Sequence, residues 1–153
     1  MIHSSLIKKL LVATDGSEPS LHAALYAAEI AGCTGAEVTI LNAAEISGVT
    51  QFVSYSIGSG KGSPLDVRRT GESIIEMTKK PFLEAGVSVR TKIVEGYAAE
   101  VILSEAEEGK YDLIAMGSRG AGTGTLKRMF LGLGSVAERV LANAPCPVLA
   151  VRT

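Results

Sequence analysis

The chain has no tryptophan, and aromatic residues make up only 5% of its 153 positions. Proteins that hold single-stranded nucleic acid stack bases on aromatic side chains, so the shortage argues against such a platform. Basic residues are not in excess either. Fifteen lysines and arginines stand against sixteen aspartates and glutamates, a formal charge of −1. A phosphate-tracking nucleic-acid binder carries a basic surplus, so no nucleic acid is expected as a partner. Cysteine is scarce: Cys33 and Cys146 are too few for a disulfide framework or a four-cysteine zinc site. No run approaches the roughly 18 apolar residues of a membrane span. Met1 to Leu11 lacks the apolar stretch and small-residue cleavage site of a signal peptide. A cytoplasmic protein without a membrane partner is expected, its two thiols suited to a reducing compartment.

What is present is a core. Apolar residues are 46% and charged residues 20%, which excludes a disordered chain. The length fits one domain over residues 1–153. Leu10-Leu11-Val12-Ala13 is a short unalternating run that ends in Thr14-Asp15-Gly16-Ser17, the pattern of a strand buried on both faces. Ser17 is a good N-cap, Pro19 suits the first turn, and Leu21, Ala24, Leu25, Ala28 and Ala31 recur at helical spacing. Val38 to Ala44 is a second buried strand. Residues 45–65 hold many glycines and serines and read as a long flexible loop. A helix follows from Asp66 to about Ala85, with a kink or break expected at Pro81. A strand over Val87 to Val94, a helix to Glu108 stopped by Gly109, and a strand at Leu113–Met116 come next. Ser135–Asn143 is the last helix and Val148–Val151 the last strand. Strands alternating with helices imply an open, doubly wound, five-stranded parallel sheet of the α/β class, with helices on both faces. Ligands of such sheets sit beyond the carboxyl ends of the strands, where strand order reverses.

Three loops leave those ends: Thr14 to Ser17, Asn42 to Glu45, and Gly117 to Thr125. The third holds four glycines in eight positions, which lets backbone amides approach an anion. Gly134 and Ser135 open the next helix, a natural phosphate seat, and Arg119, Lys127 and Arg128 add positive charge. The structural alternative is a tight connection with Ser135 as a plain N-cap and Asp15 capping a turn. Gly58 to Gly62 fails as a phosphate loop of the P-loop type, because Tyr55 and Gly62 occupy its essential glycine and hydroxyl positions. The spaced glycines of a dinucleotide site are missing after the first strand. His3 and His22 have no evident nucleophile to serve. His22 is expected on a helix surface, Cys33 buried at a helix end and Cys146 under the last strand. Glu105, Glu107, Glu108 and Asp112 read as a solvated face rather than a metal site.

The segments Lys9 to Ser17, Ala36 to Asn42, Asp112 to Gly120, Gly134 to Val140 and Ala144 to Val151 together resemble the universal stress protein family. The resemblance covers nearly the whole chain. It implies strand order 3-2-1-4-5, as in adenine nucleotide alpha hydrolase-like folds, and a homodimer joined through the last strand. It also implies a branch of the family that binds ATP, ADP or AMP, with Mg²⁺ bridging phosphate oxygens. Carried over, Gly117 and Gly120 match the first two glycines of the family's nucleotide motif, and Gly134 and Ser135 its last pair. Met116, Arg119 and Val136 flank these. Ala13, Thr14 and Asp15 match positions near adenine and ribose, and Ala43 the small residue against the base. The spacing departs from the family. Thirteen residues separate Gly120 from Gly134 where the motif has nine, and Ala13 replaces a frequent proline. The function expected is an adenine-nucleotide-binding regulatory protein of the stress response, acting on an unidentified protein partner. The alternatives are a dimeric interaction protein without nucleotide, and a slow ATPase in which Arg119 and Mg²⁺ stabilise charge, with no convincing water-positioning base and Asp15 the least poor candidate for one. No catalytic residue or metal ligand is assigned.

Overall fold

The computed structural model describes residues 5–44, 64–119 and 133–153, and for 64–68 the backbone alone. His3, Gly120, Lys127, Arg128 and residues 45–63, where a loop is expected, lie outside the described residues. The elements run β1 (Lys9–Ala13), α1 (Glu18–Thr34), β2 (Glu37–Ala44), α2 (Pro64–Glu84), β3 (Val89–Glu95), α3 (Ala98–Gly109), β4 (Leu113–Gly117), α4 (Ser135–Asn143) and β5 (Val148–Val151). The five strands form one sheet in the order β3-β2-β1-β4-β5, all pairs parallel. Order reverses between β1 and β4, so the crevice of a doubly wound sheet opens at their carboxyl ends.

β1 is the central strand, and Leu10, Leu11 and Val12 are fully enclosed. Alternate residues feed two cores. Leu10 and Val12 pack with alanines of α1 and with Ile75 and Phe82 of α2. Leu11 and Ala13 pack with Ala99, Ile102 and Ala106 of α3 and Ala137 and Val140 of α4. Enclosing a side chain such as Phe82 stabilises the fold by about 1.5–3 kcal/mol.

α1 starts as its sequence predicts. Ser17 is the N-cap, its side chain accepting the Ser20 N–H, and Gly35 closes the helix in the left-handed region. Its buried face is Ser20, Ala23, Ala24, Ala27, Ala28 and Ala31. Leu25, expected inside, is exposed, and so is Cys33. A face of alanines lets the helix lie close to the sheet, which leaves no depth for a larger side chain.

Further departures have local causes. α2 begins at Pro64, two residues before Asp66, so positions 64 and 65 belong to a helix and not to the loop. The helix is not broken at Pro81 but runs on to Glu84. Proline there removes one ladder bond near an end already short of partners. α3 is not stopped by a left-handed glycine. Lys110 takes that conformation, and Gly109 is instead where the ring of Tyr111 lies against the helix, in the space a Cβ would fill. The acidic run is not simply solvated. Glu105 is largely covered, accepts bonds from Lys92 Nζ at 2.9 Å and the Tyr111 hydroxyl at 3.0 Å, and ties α3 to β3. Burial raises the Tyr111 pKa, and the Glu105 carboxylate raises that of Lys92. Cys146 is half-buried against the α3/α4 core, as expected, and burial raises its pKa.

Candidate nucleotide site at the carboxyl ends of the strands

The turn after β1 is a knot of hydroxyl groups. Thr14 Oγ1 lies 2.9 Å from Thr78 Oγ1 and 3.2 Å from Ser20 Oγ, and it accepts the Gly16 N–H. Thr78 donates to the Ile74 carbonyl at 2.7 Å, and Ser20 to the Ser17 carbonyl at 2.9 Å. Each hydroxyl has one proton. With those of Thr78 and Ser20 committed, Thr14 must donate to Thr78. The longer contact with Ser20 is then the one without a proton. Asn42 Nδ2 donates to the Thr14 carbonyl at 2.9 Å, and the Thr14 N–H donates to the Leu41 carbonyl. Thr14 therefore fastens β1 to α2 and β2, and all four side chains are buried. Sequence reasoning missed the roles of Ser20, Thr78 and Asn42. Their only signal was a polar residue recurring on an otherwise apolar face.

Asp15 projects from this knot. It is exposed, and its Oδ1 accepts the Ser17 N–H at 2.9 Å, the turn-capping arrangement. Gly16 has φ +80° and a Cβ there would meet Ile74 at 3.0 Å, so glycine is required. Ala13 is buried at the end of β1 and pairs with Leu41. Ala43 is half-buried near the end of β2.

β4 brings the other half. Met116 is buried in the α3/α4 core. Gly117 is needed for packing, because a Cβ there would stand 2.8 Å from Pro19 and from the Ser20 nitrogen. Arg119 is half-buried. After the undescribed stretch, Gly134 returns to the sheet, its N–H donating to the Ser118 carbonyl at 2.7 Å, while the Ser118 N–H donates to the Val151 carbonyl. Gly134 is the N-cap of α4 and offers no side-chain acceptor to the first turn. Ser135 is exposed at the first helical position, and Val136 is half-buried. The two helices that start beside the crevice thus differ. α1 is capped by its own Ser17, whereas the N-cap of α4 is a glycine with no side chain to cap its first-turn amides, and the positive end of its dipole favours an anion.

The structure therefore brings Ala13, Thr14, Asp15, Ala43, Met116, Gly117, Arg119, Gly134, Ser135 and Val136 to one end of the sheet, on β1, β2, β4 and the start of α4. Gly120 is outside the described residues. Among the described residues no cluster of three acidic, histidine or cysteine side chains could hold a metal, and no helix is long and apolar enough to cross a membrane. His22 is exposed on α1.

The 3-2-1-4-5 parallel sheet with helices on both faces matches the adenine nucleotide alpha hydrolase-like class of folds. Residues 6–152 match the Universal stress protein family, and the chain belongs to it. Universal stress protein MJ0531 of Methanocaldococcus jannaschii is 41% identical over 149 residues, which is 97% of this chain and 84% of that one. The solved structure of hypothetical protein MJ0577 superposes with a TM-score of 0.74 at 28% identity, covering 97% of this chain and 98% of that one. A universal stress protein family protein from Arabidopsis thaliana with AMP bound shares the fold, with a TM-score of 0.64 at 21% identity over 95% of this chain and 91% of that one.

Proposed function

We propose that this chain binds an adenine nucleotide across the carboxyl ends of β2, β1 and β4. In this reading it is a cytoplasmic, dimeric regulatory domain that reports nucleotide state to a protein partner in the stress response. Asp15 and Ala43 hold the nucleoside end; Gly117, Arg119, Gly134 and Ser135 hold the phosphates. The observation that carries the reading is the start of α4. It has a glycine cap, beside the point where strand order reverses, and no side chain of its own to satisfy its first amides. The AMP-bound Arabidopsis protein of the same fold supports the choice of ligand. Mg²⁺ fits as an ion carried by phosphate oxygens and water, with at most one carboxylate such as Asp15 nearby. That is the usual manner of Mg²⁺ at nucleotide sites.

The test is calorimetric titration with ATP, ADP and AMP in the presence of Mg²⁺, on the wild type and on Gly134→Val. Gly134 has φ −73°, which valine tolerates, so the variant adds bulk at the phosphate seat without backbone strain. Circular dichroism confirms that the variant is folded. Micromolar binding in the wild type, weakened at least about tenfold in the variant, is expected. A folded wild type that gives no heat with any of the three would overturn the reading.

A further inference from the structure

Ser118 is the residue that follows β4. The residue is 1% exposed, and its Oγ finds no hydrogen-bond partner among the described residues. Its backbone is fully used, the N–H by Val151 and the carbonyl by Gly134. Elsewhere at this end of the sheet the buried hydroxyls of Thr14, Ser20 and Thr78 are all committed. An unpaired buried hydroxyl is costly, and folded proteins seldom keep one without a use for it.

Its direction follows from the pleat. Leu113 and Ala115 face the α1/α2 core, Ile114 and Met116 the α3/α4 core. Gly117 faces α1, where an added Cβ would strike Pro19. Ser118, next in alternation, falls on the α3/α4 side. That is the side on which α4 starts, and the Ser118 carbonyl itself anchors the N-cap Gly134. The unspent hydroxyl and the uncapped first turn of α4 are therefore neighbours.

We propose that the Ser118 hydroxyl is a specificity-determining donor that, with the first-turn amides of α4, seats a phosphate group of the ligand. The inference rests on the nucleotide reading above and adds to it a residue and a selectivity. Phosphate oxygens only accept, and helix amides only donate, so the hydroxyl completes a ring of donors around one anionic group. A nucleoside without phosphate leaves it unsatisfied. The site then prefers the phosphate monoester to the bare nucleoside, and Ser118 carries part of that preference.

The experiment compares Ser118→Ala with wild type in two measurements. The first is affinity for AMP and for adenosine. AMP is expected to weaken by about tenfold in the variant, the size of a lost bond to a charged group, with adenosine unchanged. The second is thermal unfolding without ligand. Removing a hydroxyl that has no partner should leave the midpoint the same or higher, while the upward shift caused by AMP shrinks. A ligand-free midpoint lowered by about 3 °C or more would show that the hydroxyl has a structural partner, and would overturn the proposal. So would equal AMP affinity in the two proteins, which leaves the nucleotide reading standing. A wild type that binds neither AMP nor adenosine removes both.

Discussion

A methyl group added at Gly117 would stand 2.8 Å from the carbonyl carbon of Pro19 and from the Ser20 nitrogen, backbone atoms that cannot swing aside as a side-chain tip would. Gly117→Ala is therefore expected to destabilise the protein by about 1–3 kcal/mol, through forced movement of the first turn of α1. For a chain of this size each kcal/mol lowers the unfolding midpoint by about 2–4 °C. A midpoint unchanged by the substitution would show that the turn yields freely. The effect is expected with no nucleotide present, so glycine here has a packing reason beside any phosphate. This is also where the sequence was least legible. A glycine in a Gly-rich segment points equally to a ligand and to a close helix, and only the position of Pro19 distinguishes them. The same holds for Asp15. Both capping a turn and holding a ribose call for an aspartate after a strand, and the capping bond to Ser17 is present in the structure. The sequence assigns Ser118 no role of its own between Gly117 and Arg119, because a hydroxyl's lack of a partner has no trace in sequence.

Element boundaries were more legible, since strands buried on both faces leave unalternating runs such as Leu10 to Ala13, and caps such as Ser17 and Gly35 are local chemistry. Errors arose where one element leans on another. The Tyr111 ring claims the space at Gly109, and Glu105 was read as solvated because its partners Lys92 and Tyr111 come from outside its helix. Asp112 is the most consequential of these. It sits just before β4, and its Oδ2 accepts the backbone N–H groups of Lys8 and Lys9 at 2.9 Å each, setting the register of β4 beside β1. Those two bonds lower its pKa from the usual 3.8. A carboxylate whose folded pKa lies below its unfolded value contributes stability that is complete above the unfolded value. That contribution is lost as pH falls through the folded one. Asp112→Asn keeps the shape and removes the charge. Wild type should therefore unfold at a higher temperature than the variant at neutral pH, and the gap should close as pH falls below 3.8. Thermal unfolding of both proteins from neutrality to about pH 2 measures it. A gap that stays constant over that range would mean that the charge on Asp112 contributes nothing.

At the scale of the whole molecule the sheet has two edges, and they differ in chemistry. β3 is Val-Arg-Thr-Lys-Ile-Val-Glu, mostly exposed and charged, the usual protection of an edge against pairing. β5 is Val-Leu-Ala-Val, half-buried and without charge. The unprotected edge is the one a second copy would add to, so the homodimer is expected through β5. The hydrogen bonds show which residues face outward. The Pro147 carbonyl accepts from Ile114, and that of Val151 from Ser118, so residues 147, 149 and 151 turn their backbone groups to β4. Alternation leaves the backbone N–H and C=O of Val148 and Ala150 facing away from the sheet. Ala150→Pro removes an outward donor and none of the bonds to β4, and proline is tolerated on edge strands. Sedimentation equilibrium should therefore give the wild type twice the chain mass of 15.9 kDa and the variant that mass alone, with the circular dichroism of the two alike. A wild type sedimenting as one chain would overturn the dimer itself. A variant still at double mass would move the seam off β5.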